Sequence, residues 1–257
     1  MIFPMNSEWP IGVFDSGVGG GSVLRDMMAR LPRETFIYYG DNLNAPYGVK
    51  SEEEIRTLAT HVADVLLALN VKALVVACNT ATSAAIEPLR ARLAIPVVGM
   101  EPALKPASKM RHGGKVLVMA TTATLRQNKF QHLYSLYGQN AVIQPCPGLM
   151  EFAERGEMEG AGVEGYLKEI FAPYAGEQLD AVVLGCTHYV FLKEAISRAL
   201  PGVPLVDGND GTARRLEYLL REGGMLREEG KGGVTFMTSG NREVYIPLMQ
   251  RLLRVPI

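Results

Sequence analysis

The sequence predicts an α/β fold built from two similar units, each with a parallel sheet. Three observations predict it. Short apolar runs alternate with longer amphipathic segments. Several segments of the first half of the chain are repeated in the second half, and a stretch that contains prolines and glycines separates the halves. Alternating strands and helices are typical of βαβ units with parallel strands. A chain of 257 residues is long enough for two domains of ordinary size.

The predicted strands are short apolar runs without polar alternation, the pattern of parallel strands buried on both faces. They lie at Ile11–Phe14, Thr35–Tyr39, Ala73–Ala77, Val97–Gly99, Val116–Met119, Ala141–Gln144, Ala181–Leu184 and Val203–Val206. The predicted helices lie at Ser22–Arg30, Ser51–Asn70, Thr82–Arg92, Leu125–Tyr137, Val190–Leu200 and Thr212–Arg221. The second of these opens with Ser51-x-x-Glu54, which has the form of a capping box.

The echo between the halves consists of three pairs of segments in the same order. In the first pair, Leu74–Thr80 matches Val182–His188, and a cysteine closes the strand in both. The second pair, Ile95–Val98 and Val203–Val206, has the same offset of 108 residues, and in the third Ile11–Ser16 resembles Val116–Thr121 at an offset of 105. We therefore expect two units related by a pseudo-two-fold axis. The break near Pro102–Gly114 predicts a first domain at residues 1–101 plus 212–257 and a second at 102–211.

Composition excludes several classes of function. The formal net charge is −1, and the 26 basic residues form no stripe of the kind that binds nucleic acid. No apolar run approaches the ~18 residues that span a bilayer, and residues 1–10 lack the pattern of a signal peptide. Three widely spaced cysteines argue against a disulfide framework and for a reducing compartment. The expectation is a cytoplasmic protein that binds neither nucleic acid nor a membrane.

The predicted catalytic groups are the two cysteines that close equivalent strands. In open α/β sheets ligands bind beyond the carboxyl ends of the strands, so a two-fold axis sets Cys78 and Cys186 on opposite sides of the interdomain cleft. Inverting an amino-acid stereocentre requires removing a proton from one face and returning one on the other, which two opposed acid/base groups do in either direction. A single cysteine of this kind is more often a small buried hydrophobe, but two at equivalent positions favour catalysis.

Neighbouring residues complete this predicted site. Asp15 is expected to assist Cys78 as a proton acceptor or orienting group, and His188 to do the same for Cys186. Cys146 has no counterpart in the first half and is predicted to be structural. The cysteines lack CxxC spacing, so no metal site is predicted.

The glycine-rich run Asp15–Ser22 follows a predicted strand and precedes a predicted helix. Ser22 stands where the dinucleotide fingerprint has its third glycine, and no GK[ST] sequence follows, which excludes a P-loop. Such a turn still offers backbone N–H groups to an anion, and a substrate carboxylate is the predicted occupant. Short donors and acceptors that suit an amino acid are supplied by Ser16, Asn79, Thr80 and Thr187.

Five motifs, in order along the chain, together resemble those of glutamate racemases. They are Asp15–Gly20, Pro46-Tyr47-Gly48, Cys78-Asn79-Thr80, Glu154-x-Gly156 and Gly185-Cys186-Thr187-His188-Tyr189. The resemblance implies two flavodoxin-like α/β domains with the active site in the cleft between them. It also implies interconversion of L- and D-glutamate without pyridoxal phosphate, metal or any other cofactor, a supply of D-glutamate for peptidoglycan and the cell wall, and it allows a homodimer.

The resemblance also assigns roles to individual residues. Cys78 and Cys186 are the acid/base pair, with Cys78 acting on the D-enantiomer and Cys186 on the L-enantiomer. Glu154 matches an acidic residue that supports the side of the second cysteine. The implied substrate-binding residues are Asp15, Ser16, Tyr47, Gly48, Asn79, Thr80, Thr187 and His188. Two positions depart from the family pattern, since Gly21 replaces a frequent leucine and Val190 a usual proline.

Three alternatives stay open. The first is a racemase of the same superfamily that acts on aspartate or a hydantoin, although His188 stands where aspartate racemases typically have glutamate. The second is a decarboxylase of related fold, which needs only one catalytic thiol. The third is a two-lobed amino-acid binding module, which has no use for thiols on both faces and for which the sequence offers no export signal.

Overall fold

Two parallel sheets form the framework of the protein in a computed structural model, which describes residues 6–110 and 112–255. The strands are β1 (Ile11–Asp15), β2 (Thr35–Gly40), β3 (Ala73–Val76), β4 (Val97–Gly99), β5 (Lys115–Ala120), β6 (Ala141–Pro145), β7 (Leu179–Leu184), β8 (Leu205–Val206) and β9 (Gly233–Thr238). The helices are α1 (Gly21–Arg30), α2 (Glu52–Leu67), α3 (Asn79–Arg92), α4 (Leu104–Ala107), α5 (Thr122–Arg126), α6 (Asn128–Tyr137), α7 (Leu149–Arg155), α8 (Ala161–Phe171), α9 (Lys193–Ala199), α10 (Asn209–Glu222) and α11 (Arg242–Leu252).

The predicted α/β fold with two similar parallel-sheet units is confirmed. The first sheet has the order β4-β3-β1-β2-β9 and the second the order β6-β5-β7-β8. Read from the other edge, the second sheet repeats the order of the first four strands, which is also the order of flavodoxin-like folds. All registered strand pairs are parallel. The carboxyl ends of β1, β3, β5 and β7 therefore lie at corresponding positions in the two units.

The C-terminal segment adds a fifth strand to the first sheet. β9 pairs with β2 from Thr35 opposite Gly233 to Gly40 opposite Thr238. A buried ion pair also ties this segment to the first sheet, because Lys72 Nζ lies 2.6 Å from Glu34 Oε2 and donates to the Met225 carbonyl at 2.9 Å. The predicted domain bounds, 1–101 plus 212–257 and 102–211, stay a prediction, and their residues 1–5, 111 and 256–257 lie outside the described part of the chain.

Several helices differ from the sequence prediction for local reasons. The predicted helix Leu125–Tyr137 is broken at Gln127, whose extended backbone separates α5 from α6. The predicted helix Val190–Leu200 begins as a 3-10 helix at Thr187–Leu192, and α9 follows. The capping box that opens α2 is confirmed. The helices α4, α7, α8 and α11 are absent from the sequence prediction. Two glycines lie in α8 and a proline lies in both α4 and α11, and these residues weaken a helical pattern.

Apolar side chains cover both faces of each sheet. Two buried clusters lie against the first sheet and two against the second. Phe191, from the 3-10 helix that follows β7, packs into the first sheet's cluster with Val23 and Met27, so the two units share part of their core. Across residues 6–110 and 112–255 no helix is both long and apolar enough to cross a bilayer.

Candidate active site

Both predicted catalytic thiols lie at strand ends. Cys78 follows β3 and is the N-cap of α3, where its Sγ accepts a hydrogen bond from Ala81 N at 3.4 Å. Cys186 follows β7 and precedes the 3-10 helix. The two residues are only 6% and 7% exposed.

Asp15 and Ser16, at the end of β1, surround the first thiol. The Cys78 thiol donates to Ser16 Oγ at 3.6 Å, and Ser16 Oγ donates onward to Asp15 Oδ1 at 3.5 Å. Both contacts are long. Burial and, next, the Asp15 carboxylate raise the pKa of Cys78 to about 12. Burial likewise raises the pKa of Asp15 above its usual value, so this carboxylate is a better proton acceptor than an exposed one.

His188 and Glu154 surround the second thiol. His188 Nδ1 lies 3.6 Å from Cys186 Sγ, and His188 Nε2 lies 2.7 Å from Glu154 Oε1. Burial opposes charging of the ring, but the hydrogen bonds to Cys186 and Glu154 outweigh it and raise the pKa of His188 well above its usual value. Burial would raise the pKa of Glu154, but the bond from His188 outweighs it, so that pKa lies below its usual value. The arrangement therefore favours a charged imidazolium between a carboxylate and a thiol.

The glycine-rich run binds a carboxylate, but it is the protein's own. Val18 N donates to Glu154 Oε1 at 2.9 Å, and Gly17 N donates to Asp15 Oδ1 at 2.9 Å. The prediction that these N–H groups bind a substrate carboxylate is wrong for Gly17 and Val18, because both donors are already satisfied. A Cβ on Gly17 would lie 2.0 Å from Glu154 Oε1, and one on Gly19 would lie 2.4 Å from His188 Nδ1. Glycine here lets the first unit approach the second unit's charged groups.

Further hydrogen bonds join the two units around the thiols. Thr187 Oγ1 donates to Asp15 Oδ2 at 3.1 Å, and Ser22 Oγ donates to the Thr187 carbonyl at 3.2 Å. On the other side, Thr80 Oγ1 lies 3.0 Å from Thr121 Oγ1 and 2.9 Å from Thr124 Oγ1. The hydroxyls of Thr80 and Thr187 therefore already have protein partners.

The remaining predicted pocket residues lie close to the same place. The Tyr47 hydroxyl is buried and donates to Asp41 Oδ2 at 2.5 Å. A Cβ on Gly48 would lie 3.1 Å from Thr121 Cβ, so glycine allows close contact with the second unit. Asn79 is 4% exposed, and its Oδ1 is buried without a hydrogen-bond partner in the described structure. This oxygen is an acceptor that a ligand can satisfy.

The structure brings all the predicted site residues into one neighbourhood, and their roles stay predictions. Sequence reasoning missed Asp41, which holds Tyr47, and Asn42, whose Nδ2 donates to Glu154 Oε2 at 3.4 Å. Both follow β2, so the rule of strand carboxyl ends could have identified them. Cys146 lies apart from these bonds, since its buried thiol donates to the Gln144 carbonyl at 3.3 Å. Among the residues described, no group of three or more His, Cys, Asp or Glu side chains could hold a metal ion.

Known proteins resemble this chain over nearly its whole length. Residues 20–216 match the family described as Asp/Glu/Hydantoin racemase. A glutamate racemase from Clostridium acetobutylicum is 48% identical over 248 residues, 95% of this chain and 97% of the relative. The crystal structure of a glutamate racemase isoform from Bacillus anthracis has a TM-score of 0.88 at 33% identity, covering 96% of this chain and 95% of that one. The glutamate racemase of Francisella tularensis in complex with D-glutamate has a TM-score of 0.84 at 30% identity, covering 98% and 95%.

Proposed function

The chain belongs to the Asp/Glu/Hydantoin racemase family, and we propose that it is a cofactor-independent glutamate racemase. Cys78 and Cys186 exchange the α-proton of the substrate from opposite faces. The enzyme is an isomerase of the amino-acid racemase class. One observation carries the proposal: two buried thiols stand at equivalent strand ends of two sheets with the same strand order, and each has its own polar partners.

The first half of the proposed reaction takes place at Cys78. Its S–H points to Ser16 and the Ser16 O–H to Asp15, so the thiol proton can pass through Ser16 to the Asp15 carboxylate. The thiolate then takes the α-proton of D-glutamate and becomes a thiol again. The N-terminus of α3 and the Ala81 N–H favour the thiolate form, partly offsetting the burial that disfavours it.

The second half takes place at Cys186. Its thiol donates a proton to the opposite face of the substrate and becomes a thiolate. Protonated His188 stabilises that thiolate, and Glu154 balances the charge of the imidazolium. Run in reverse, the same groups remove the proton of L-glutamate. The two halves use different partners, a carboxylate through a hydroxyl on one side and an imidazolium–carboxylate pair on the other.

The substrate's own charges have candidate partners. The Asn79 Oδ1, buried and without a partner, is an acceptor for the substrate ammonium group. Near Gly48, a cavity of about 440 Å³ opens between α2 and α5, with Lys50 and Arg126 in its lining opposed by Glu52. Two cations against one carboxylate attract a substrate that carries two carboxylates.

The proposed cellular setting rests on the resemblance to glutamate racemases and on the chemistry of free thiols. We place the reaction in the cytoplasm, where thiols stay reduced. Its product, D-glutamate, would be a building block for peptidoglycan. A homodimer is compatible with this proposal and is not required by it, because both thiols lie in the same chain.

Proton exchange in D₂O tests the proposed function. The purified protein, with no cofactor added, is expected to invert both L- and D-glutamate and to place deuterium at Cα of the product. Aspartate, shorter by one methylene, should react about 10–200-fold more slowly, the usual discrimination for a methylene group. Exchange with neither amino acid would overturn the racemase proposal and favour a binding module or a decarboxylase, and faster reaction of aspartate would reassign the substrate.

Replacing Glu154 with glutamine should change the pH dependence of racemisation. Without the carboxylate, the hydrogen bond and the charge with which Glu154 raises the pKa of His188 are lost, so this pKa falls and the imidazolium is lost at lower pH. We expect the alkaline limb of the kcat/KM profile to move to lower pH and the rate at neutral pH to fall about 10-fold or more. Glu157→Gln is the matched control, because Glu157 pairs with Arg155 at the surface. An unchanged alkaline limb in Glu154→Gln would contradict the role given to His188.

A further inference from the structure

We propose that Asn42 is a positioning residue for proton transfer at Cys186, acting through the Glu154 carboxylate. The inference rests on the function proposed above and deepens it. Asn42 follows β2 in the first unit and is 6% exposed, whereas Glu154 belongs to α7 in the second. Its amide reaches across the cleft between the two units.

Three donors hold the Glu154 carboxylate, two of them at Oε1 and the third at Oε2. Oε1 accepts from Val18 N at 2.9 Å and contacts His188 Nε2 at 2.7 Å. Oε2 accepts from Asn42 Nδ2 at 3.4 Å. A carboxylate bound through one oxygen alone can swing about its own axis, and the Asn42 amide is the contact that restrains the second oxygen. The orientation of the Asn42 amide therefore affects the distance between Glu154 and His188.

Hydrogen-bond direction fixes the orientation of the Asn42 amide. The Glu154 carboxylate can only accept, so the end of the amide that faces it at 3.4 Å is the Nδ2 group. The Thr238 hydroxyl then donates to Asn42 Oδ1 at 2.8 Å. With Oδ1 satisfied from β9, the Nδ2 group is turned to Glu154. The C-terminal strand thus supplies the donor that satisfies Oδ1 in this orientation of the amide.

The chain of contacts runs from one unit into the other. Thr238, Asn42 and Val18 lie with the first sheet, and Glu154, His188 and Cys186 lie with the second. A Cβ on Gly40 would lie 2.6 Å from Asn42 Oδ1, so the backbone of β2 also confines the amide. The set of donors to the Glu154 carboxylate is consequently complete only when the two units are in contact. Asn42 therefore links the contact between the two units to the position of the carboxylate that holds His188.

Isotope effects separate this role from a general structural one. The two enantiomers have equal free energies in water, so kcat/KM for racemisation is equal in both directions and cannot show which thiol is impaired. Kinetic isotope effects measured with substrate deuterated at Cα can show which thiol is impaired. If transfer at Cys186 slows, the isotope effect rises for the enantiomer that Cys186 deprotonates, L-glutamate by the resemblance. It falls for the other enantiomer, whose deuteron leaves before the slow step.

The experiment uses Asn42→Ala, Thr238→Val and the double variant in the full chain. We expect kcat/KM to fall about 10-fold to 100-fold in Asn42→Ala, as it does when outer-shell partners of metal ligands are removed. Thr238→Val should have a smaller effect that disappears in the Asn42→Ala background. Thr235→Val is the matched control, because Thr235 is exposed on the same strand. It should match the wild type.

The outcomes are distinct. Opposite shifts of the two isotope effects, in Asn42→Ala or in the nearly isosteric Thr238→Val if the former does not fold, would support the proposal. A kcat/KM within twofold of wild type, or a fall with both isotope effects shifted alike, would overturn it and leave the racemase function intact. Failure of the wild type to racemise glutamate would instead refute the proposed function itself.

Discussion

Cys78→Ala and Cys186→Ala should each abolish the inversion of glutamate, lowering kcat/KM by about 10²–10⁴-fold, the contribution of a positioned acid/base group. A single remaining thiol stands on one face of the substrate and cannot both remove and return a proton across the stereocentre. Inversion is followed by the optical rotation of L- and D-glutamate, and deuterium uptake from D₂O by proton NMR.

Cys146→Ala is the matched control for the two thiol variants. Cys146 is also buried, but its thiol bonds to a backbone carbonyl, outside the chain of contacts at the other two. It should keep kcat/KM near that of the wild type, with at most a modest loss of stability. Full inversion by either of the other two variants would rule out the two-thiol mechanism.

Gly17→Ala and Gly19→Ala should each lower kcat/KM by about 100-fold, the cost of displacing reacting groups by about 1 Å. The added Cβ of Gly17→Ala would force Glu154 Oε1 away from His188 and Val18. That of Gly19→Ala would meet the His188 ring and Thr187 Oγ1, both at 2.4 Å, and would push the two units apart. Steady-state racemisation kinetics measure both effects.

Gly21→Ala is the control in the same glycine run. Its added Cβ would meet only Phe191 Cζ at 3.7 Å, an ordinary contact. Because Gly21 begins α1, alanine should maintain activity and raise the free energy of unfolding by up to about 1 kcal/mol. Equal losses of activity at Gly17, Gly19 and Gly21 would contradict the close-approach explanation and indicate a requirement for a flexible loop.

The two residues that depart from the family pattern, Gly21 and Val190, both lie in helical segments near the site. Gly21, where leucine is frequent, is the first residue of α1 and has room for a Cβ, so the glycine is not imposed by crowding. Val190 is buried in the 3-10 helix that carries His188, within the apolar cluster of the second unit. Neither residue has a polar side chain that could hydrogen-bond to the thiols or their partners.

The fold class and the position of both thiols at strand ends could be predicted from the order of the amino acids alone. Apolar runs without polar alternation are typical of parallel strands buried on both faces, and the matching segments around Cys78 and Cys186 lie at equivalent places in two sheets with the same order of four strands. Local patterns were weaker at α8 and α11, where glycine or proline lies inside a helix that packing stabilises. The strand β9 was also absent from the prediction, because it is stabilised by its pairing with β2, which the local sequence does not indicate.

The hydrogen-bond partners of the charged groups around the thiols could not be predicted, because they depend on how the two units pack. Backbone N–H groups at the start of a helix attract any anion, and whether that anion is a substrate or Glu154 depends on what the second unit brings within 2.9 Å of Val18. The same holds for Asn42, whose amide gains a role only because Thr238 and Glu154 lie on either side of it. Hydrogen bonds between residues far apart in the chain depend on distance and direction, and spacing along a sequence contains neither.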